Sequence, residues 1–133
     1  MALKWRRMIK NAFTQLVSTV EIKMGSCVKL SSSALIVTTG NEAFIGITDE
    51  VGYIGKDVRL AGVGSIVWCR AHDNAIAENE WLVSAADGRV DGIAATTTTI
   101  QYLVGIALMA ATAQDQLIPV LFLPSVITGT QSV

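Results

Sequence analysis

The sequence predicts an all-β domain, and three features lead to that prediction. Short runs rich in β-branched and aromatic residues recur along the chain, separated by turn signals about every 8–12 residues. The 11 glycines sit mainly at turns and inside these runs, where they permit bends and bulges. Strands do not alternate with long helices, as a parallel α/β sheet requires. Together these patterns favour a compact barrel or sandwich of antiparallel strands.

Two stretches of the chain are similar to each other, over residues 44–60 and 103–120. In each, an apolar run passes through a glycine, Gly46 in the first and Gly105 in the second. A short connection, an Asp-containing turn and a returning apolar run follow. A repeated strand–loop–strand unit predicts a scaffold made of two similar halves.

Residues 1–20 are predicted to form an N-terminal arm or a short amphipathic helix. From Leu3 to Val20 the apolar positions follow the i, i+3, i+4 spacing of a helix. The density of β-branched residues rises after Thr14, so the end of the segment fits a strand equally well. We expect a helix over residues 3–16, or an arm that becomes ordered only on a partner.

Residues 21–124 are predicted to form the β domain, because each apolar run there is bounded by turn-forming residues. The predicted strands are 26–30, 35–38, 43–48, 58–60, 65–71, 81–84, 89–94, 102–108 and 117–123. Asp87-Gly88 is the strongest hairpin turn, since both residues tolerate positive φ angles. Pro124 is expected to end the last strand and to leave residues 125–133 as a C-terminal tail.

The composition predicts burial in an assembly. Hydrophobic residues make up 51% of the chain and charged residues only 16%, against about 25% in a typical soluble domain. Burial of an outer face in an oligomer is the simplest remedy for this shortage of polar surface. The longest uncharged stretch, residues 92–113, is interrupted by polar residues, whereas a spanning helix needs about 20 predominantly apolar ones. We therefore expect no membrane segment.

A basic cluster marks the N-terminal arm as a candidate partner-binding element. The residues concerned are Lys4, Trp5, Arg6, Arg7 and Lys10. They include 4 of the 10 basic residues, which leaves 6 against 11 acidic residues and a net charge of −5 elsewhere. Such asymmetry is typical of a tail that docks onto an acidic partner, and Trp and Arg dominate interface hot spots. A solvated terminus, or Trp5 folded back onto its own domain, is the alternative.

The basic cluster does not predict a nucleic-acid partner. Only one aromatic residue, Trp5, is interleaved with the basic residues, and the rest of the chain is acidic.

No metal site is expected from the cysteines and the single histidine. Cys69 and His72 have the spacing Cys-x-x-His, but this supplies two ligands where a structural zinc site needs four. The remaining cysteine is Cys27, and we expect both cysteines to be buried free thiols in strands.

No catalytic or cofactor-binding residues are expected either. The carboxylate pairs Asp49-Glu50, Glu78-Glu80 and Asp87-Asp91 all fall in or beside predicted turns, where acidic residues serve solubility and local hydrogen bonds. Gly62-x-Gly64 lacks the third glycine of a dinucleotide-binding loop.

Two tryptophans, Trp68 and Trp81, fall within predicted strands, where core packing is the expected role. A carbohydrate-stacking platform is the alternative.

Five motifs occur in an order that resembles the small capsid decoration, or cement, proteins of tailed bacteriophages. They are Phe44 to Ile47, Gly55 to Leu60, Glu80 to Val90, Val104-Gly105-Ile106-Ala107, and Leu117 to Leu123. The resemblance covers about residues 20–124. The chain departs from the family pattern at Asn79-Glu80, where the family favours Gly-Asp, and in its helix-like start.

The resemblance implies a β-barrel-like fold, no catalysis and a homo-oligomer, with a trimer favoured. It implies a structural virion protein, made in the host cytoplasm, that binds the major capsid protein on the outside of the phage head and stabilises the shell. The basic arm is then the expected capsid contact. A ligand- or carbohydrate-binding β-module that uses Trp68 or Trp81 remains the alternative.

Overall fold

Eight strands form two antiparallel sheets in the computed structural model, which describes residues 19–73, 75–93 and 100–128. The strands are β1 (Cys27–Ser31), β2 (Ala34–Val37), β3 (Gly46–Ile47), β4 (Ile66–Arg70), β5 (Trp81–Ser84), β6 (Val90–Gly92), β7 (Gln101–Ala107) and β8 (Leu117–Ile127). The small sheet has the order β2-β1-β3 and the large sheet the order β4-β8-β7-β5-β6.

The all-β, sandwich-like prediction is confirmed, but the sheets are not closed into a barrel. The edge strands β4 and β6 of the large sheet meet only at a single parallel bridge between Ala71 and Val90. Within the described ranges there is no helix, and so none that could cross a membrane. The predicted helix or arm over residues 3–16 lies outside the described residues.

Local turn chemistry explains the hairpins. Asp87 and Gly88 have φ angles of 59° and 71°, which confirms the predicted tight turn between β5 and β6. Ser32 and Ser33 also have positive φ angles and connect β1 to β2, where Ser31 pairs with Ala34. The predicted strand over residues 43–48 is shorter in the structure, since only Gly46–Ile47 pairs as a strand.

The prediction that Pro124 ends the last strand is wrong, because β8 continues to Ile127. At this position β8 has a neighbour on one side only, since its pairing with β4 covers 117–121. Its register with β7 also shifts between Leu103 and Gly105, which pair with Ser125 and Phe122. Pro124 therefore lies at an irregularity of the ladder, where the hydrogen bond that proline cannot donate is not needed.

Both similar stretches fold into a strand, a connection and a return. In the second, β7 and β8 pair through Ile106 and Leu121. In the first, Thr48 bridges Leu60, and the amide of Ala61 donates to the carbonyl of Ile47 at 2.9 Å. The glycine of the second unit is required by close approach, since a Cβ on Gly105 would lie 1.9 Å from the carbonyl oxygen of Leu121.

The core lies between the two sheets. Cys27 and Ile47 of the small sheet belong to the same buried cluster as Val67, Val120 and Phe122 of the large sheet. A second, smaller buried cluster lies against the small sheet and contains Ile22, Val28, Leu35 and Val58. Cys27 and Cys69 are fully buried free thiols in β1 and β4, as predicted.

A buried arginine at the end of β4 joins the sheets. The side chain of Arg70 is 5% exposed and donates hydrogen bonds to Ser26 Oγ at 3.0 Å and to Asp115 Oδ1 at 2.8 Å. It also donates to the backbone carbonyl of Asp87. Arg89 binds both carboxylate oxygens of Asp115, at 2.8 and 3.1 Å. This network connects one guanidinium to three parts of the chain. They are the segment that leads into β1, the β5–β6 turn and the β7–β8 connection.

Backbone hydrogen bonds also connect the two sheets close to Arg70. The amide of Arg70 donates to the carbonyl of Gly25 at 3.0 Å, and the amide of Cys27 donates to the carbonyl of Gly88 at 2.7 Å. Thr38 Oγ1 donates to the carbonyl of Ala85 at 2.9 Å. The small sheet is therefore held against the β5–β6 hairpin and β4 by main-chain as well as ionic contacts.

We predict that Gly105→Ala lowers the free energy of unfolding by about 3 kcal/mol, because the new methyl group overlaps the backbone of β8. Gly62→Ala is the matched control, since a Cβ at Gly62 has no neighbour within 4 Å. Urea unfolding followed by circular dichroism measures both variants. Equal midpoints for the two variants would contradict the close approach of β7 and β8.

We predict that Asp115 contributes a pH-dependent part of the stability. Hydrogen bonds from Arg89, followed by the charges of Arg89 and Arg70, lower its pKa from 3.8 to about 2. A carboxyl whose pKa is lower in the folded state stabilises the fold fully above pH 3.8, and this contribution is lost as the pH falls towards 2.

Asp115→Asn should therefore remove part of the stability loss between about pH 4 and pH 2. It should also lower the stability at pH 7 by about 1 kcal/mol, since solvent screens this partly exposed carboxylate. Thermal melts at several pH values measure the effect, with the exposed Asp57→Asn as control. A variant whose stability falls with acid as steeply as that of the wild type would count against the network.

Candidate functional site

Much of the large sheet is apolar on both of its faces. Along β4 and β8 the side chains alternate between the core and the outside of the sheet. Val67 and Val120 are buried in the core, while their neighbours Ile66, Trp68 and Leu121 point outward. Outward positions of an antiparallel sheet are normally polar when they face water. An apolar outward face indicates that something covers it.

One row of outward side chains crosses four strands in register. Ile66 of β4 pairs with Leu121 of β8, Leu121 with Ile106 of β7, and Ile106 with Trp81 of β5. Directly paired residues point to the same side of a sheet and contact each other. Ile66 is 65% exposed and Trp81 is 38% exposed, so the apolar side chains at both ends of the row are accessible to solvent.

A second row lies next to the first. Trp68 pairs with Pro119, and the amide of Leu108 donates to the carbonyl of Pro119 at 2.9 Å. Trp68 is 49% exposed. We call the two rows together the apolar sheet face, and none of its side chains is charged. Its members are Ile66, Trp68, Trp81, Ile106, Leu108, Pro119 and Leu121.

The prediction that Trp68 and Trp81 pack in the core is wrong. Because side chains alternate along β4, Trp68 points to the outer face of the sheet. Val67 and Cys69 point to the inner face, and their smaller side chains occupy the core. The sequence did contain a signal for this face. Residues 117–123 are apolar without interruption, which indicates a strand covered on both faces, yet a sandwich covers only the inner one.

A second apolar surface lies at one end of the sandwich. The segment that leads into β3 and the paired ends of β7 and β8 enclose an open groove of about 270 Å³. Phe44 and Tyr102 line it, and Val126, which is 58% exposed, lies at its rim. The ring of Phe44 packs 6.5 Å from that of Phe122 and thereby fixes one wall. We call this surface the end groove.

The sequence-predicted binding residues Lys4, Trp5, Arg6, Arg7 and Lys10 lie outside the described residues. Their role stays a prediction.

The cysteines are placed for packing rather than chemistry. Burial raises the pKa of the Cys27 thiol to about 12, although the charge of Arg70 opposes this shift. Burial, together with Cys27, also raises the pKa of Cys69. Both thiols are therefore protonated at neutral pH and are poor nucleophiles or metal ligands.

Several of the candidate carboxylates are engaged in structural pairings. Asp49 lies 3.2 Å from the guanidinium of Arg59, and Glu80 accepts a hydrogen bond from the amide of Ala77 at 3.0 Å. A hydrogen bond from Lys29 lowers the pKa of Glu42, and that of Asp115 is also lowered. A general acid at neutral pH needs a raised pKa, so these two shifts go in the wrong direction for acid catalysis.

His72 does not pair with Cys69 as a ligand set. It lies instead with Asp73 and Asp91, and one potential ligand atom from each of the three falls within 4.8 Å of the others. The approach of Asp91 to His72 could not be predicted from the sequence, because His72 follows β4 and Asp91 lies in β6.

A small β-sandwich whose described residues leave an apolar sheet face exposed is suited to burial in an assembly. A family model described as phage cement protein matches residues 10–122. The chain therefore belongs to the phage cement protein family, and the resemblance seen in the sequence is confirmed. No curated protein matches the sequence. Membership gives the protein a structural, capsid-associated role in a bacteriophage virion, and it implies that the protein is not an enzyme.

Proposed function

We propose that this protein binds the outer surface of a tailed-phage capsid as a homo-oligomer, contacts the major capsid protein and stabilises the shell. The observation that carries the proposal is the apolar sheet face, found in a member of the cement family. A phage head offers many copies of the same site, so a rigid module with several weak contacts gains affinity through multivalency.

The apolar sheet face is assigned to the contact between copies of the chain. Interfaces of permanent homo-oligomers are more apolar than transient ones, and their central residues are depleted in charge. Trp68 and Trp81 are of the residue type that most often forms hot spots. A stable interface buries about 800 Å² on each partner, which a face that crosses four strands is suited to supply.

A trimer needs a second, different surface on each copy. A two-fold dimer uses the same patch twice, whereas a closed ring of three joins one patch to another. The end groove, with the exposed Val126 at its rim, supplies such a patch. The sheet face of one copy therefore packs against the end groove of the next, and three copies close the ring.

The N-terminal arm is assigned to the shell. Lys4, Trp5, Arg6, Arg7 and Lys10 combine positive charge with one large aromatic side chain, which suits an acidic surface with an apolar pocket. Three arms on one trimer would reach neighbouring capsid subunits at once.

We predict that Ile66→Glu breaks the oligomer into monomers, because it places a charge within an otherwise uncharged apolar contact. Ile54→Glu is the matched control, since Ile54 and Ile66 are both 65% exposed and Ile54 belongs to neither surface. Size-exclusion chromatography with light scattering gives the masses. Equal masses for the two variants would remove the sheet face from the interface.

A mixing experiment separates a ring from a two-fold dimer. Val126→Glu should also give monomers, because it alters the end groove. Mixed with Ile66→Glu, it should give a dimer and no larger species, because only one intact pair of surfaces remains. An Ile66→Glu monomer beside an unchanged Val126→Glu oligomer would contradict the ring.

We predict that deletion of residues 1–13 leaves the fold and the oligomer intact but lowers binding to phage heads by at least about tenfold. Co-sedimentation with heads that lack the protein measures the loss. Lys56→Gln, which removes an exposed basic residue of the β domain, is the control and should bind normally. Full occupancy of heads by the deleted form would refute the role of the arm.

A carbohydrate-binding module is the second candidate, and the exposure of Trp68 and Trp81 favours it. The surroundings of Trp68 do not, because Ile66, Pro119 and Leu121 offer no side-chain hydrogen bonds to a sugar. A saturable change in tryptophan fluorescence on addition of glycans would support this candidate over capsid binding.

A further inference from the structure

Three potential metal ligands lie where the two edge strands of the large sheet meet. His72 and Asp73 follow directly after β4, and Asp91 is the middle residue of β6. The amide of His72 donates to the carbonyl of Val90 at 2.8 Å, next to the single bridge between Ala71 and Val90. These backbone contacts bring one ligand atom of each side chain within 4.8 Å of the other two.

One ring nitrogen of His72 is buried and, within the described part of the chain, unpaired. Nδ1 of His72 is inaccessible to solvent and has no hydrogen-bond partner among the described residues. Buried polar atoms almost always have a partner, so an unpaired one calls for an explanation. The unpaired ring nitrogen is an observation separate from the proximity of the three ligand atoms, and a cation bound by the imidazole would satisfy it.

The two carboxylates are each held in place by a neighbouring backbone amide. The amide of Ala75 donates to Asp73 Oδ1, and the amide of Gly92 donates to Asp91 Oδ1, both at 2.8 Å. Each carboxylate keeps lone pairs that these bonds do not use. Two carboxylates beside an imidazole form a site that favours a cation.

We propose that His72, Asp73 and Asp91 bind one Zn²⁺ ion. Zinc accepts imidazole nitrogen and carboxylate oxygen together, at about 2.0–2.2 Å, and commonly takes three protein ligands and a water. Mg²⁺ and Ca²⁺ prefer ligand sets made of oxygen alone. Ligand atoms around zinc lie about 3.3 Å apart, so side-chain rotations can bring three atoms that already lie within 4.8 Å of one another onto one ion.

The ion has a structural role. It clamps the end of β4 to β6 at the point where the large sheet is not closed, and so it stabilises the folded chain by mass action. Cys69 takes no part, since its side chain is fully buried in the core.

The experiment uses the full chain after treatment with EDTA and dialysis. Isothermal titration with ZnCl₂ should show one ion per chain, and the melting temperature should rise by about 5–10 °C at a hundredfold excess of zinc over its Kd. His72→Gln and Asp91→Asn should each weaken binding at least about tenfold and abolish the rise. Asp57→Asn, which alters an exposed carboxylate outside the cluster, should respond like the wild type.

Melts in EDTA first establish that each variant folds, and Asp73→Asn replaces any variant that does not. Absence of zinc binding by the wild type, an unchanged response of His72→Gln, or an equal rise with MgCl₂ would each overturn the site.

Discussion

The buried guanidinium of Arg70 is the constraint on which the arrangement of the two sheets depends. A buried charge is tolerated only when its hydrogen bonds are satisfied, and removal of one partner is costly. The partners of Arg70 come from three separate parts of the chain, at Ser26, Asp87 and Asp115. Movement of any one of these loops would leave part of the buried guanidinium without a hydrogen-bond partner, so the small sheet, the β5–β6 turn and the β7–β8 connection are fixed together. The large sheet is thereby held as a rigid platform.

This platform explains the composition. A sandwich buries the inner faces of its sheets, but here β4 and β8 carry apolar side chains on the outer face as well. Charged residues make up 16% of the chain and lie away from this outer face, in pairs such as Lys29 with Glu42 and Arg59 with Asp49. A chain of this design is short of polar surface as a monomer and well suited to burial in an assembly. Such burial agrees with the capsid-associated structural role of the phage cement protein family.

The local features of the fold could be predicted from the sequence, and the long-range ones could not. Asp87-Gly88 forms its turn because of its own backbone preferences, and the similar stretches around Gly46 and Gly105 form similar returns. By contrast, Arg70 meets Ser26 and Asp115 across 44 and 45 residues of sequence, and no periodicity encodes such a pairing. The sequence does not predict to which face of the sheet Trp68 points, because an uninterrupted apolar strand does not reveal which of its sides is inward. His72 and Asp91 likewise meet only because β4 and β6 converge.

The most direct test of a capsid-bound oligomer held together by the sheet face is a cryo-electron microscopy reconstruction of heads that carry the protein. Clusters of three copies on the outer surface, with Trp68 and Trp81 enclosed between neighbouring copies, are the predicted result. Isolated single copies, or clusters in which both tryptophans face solvent, would contradict it.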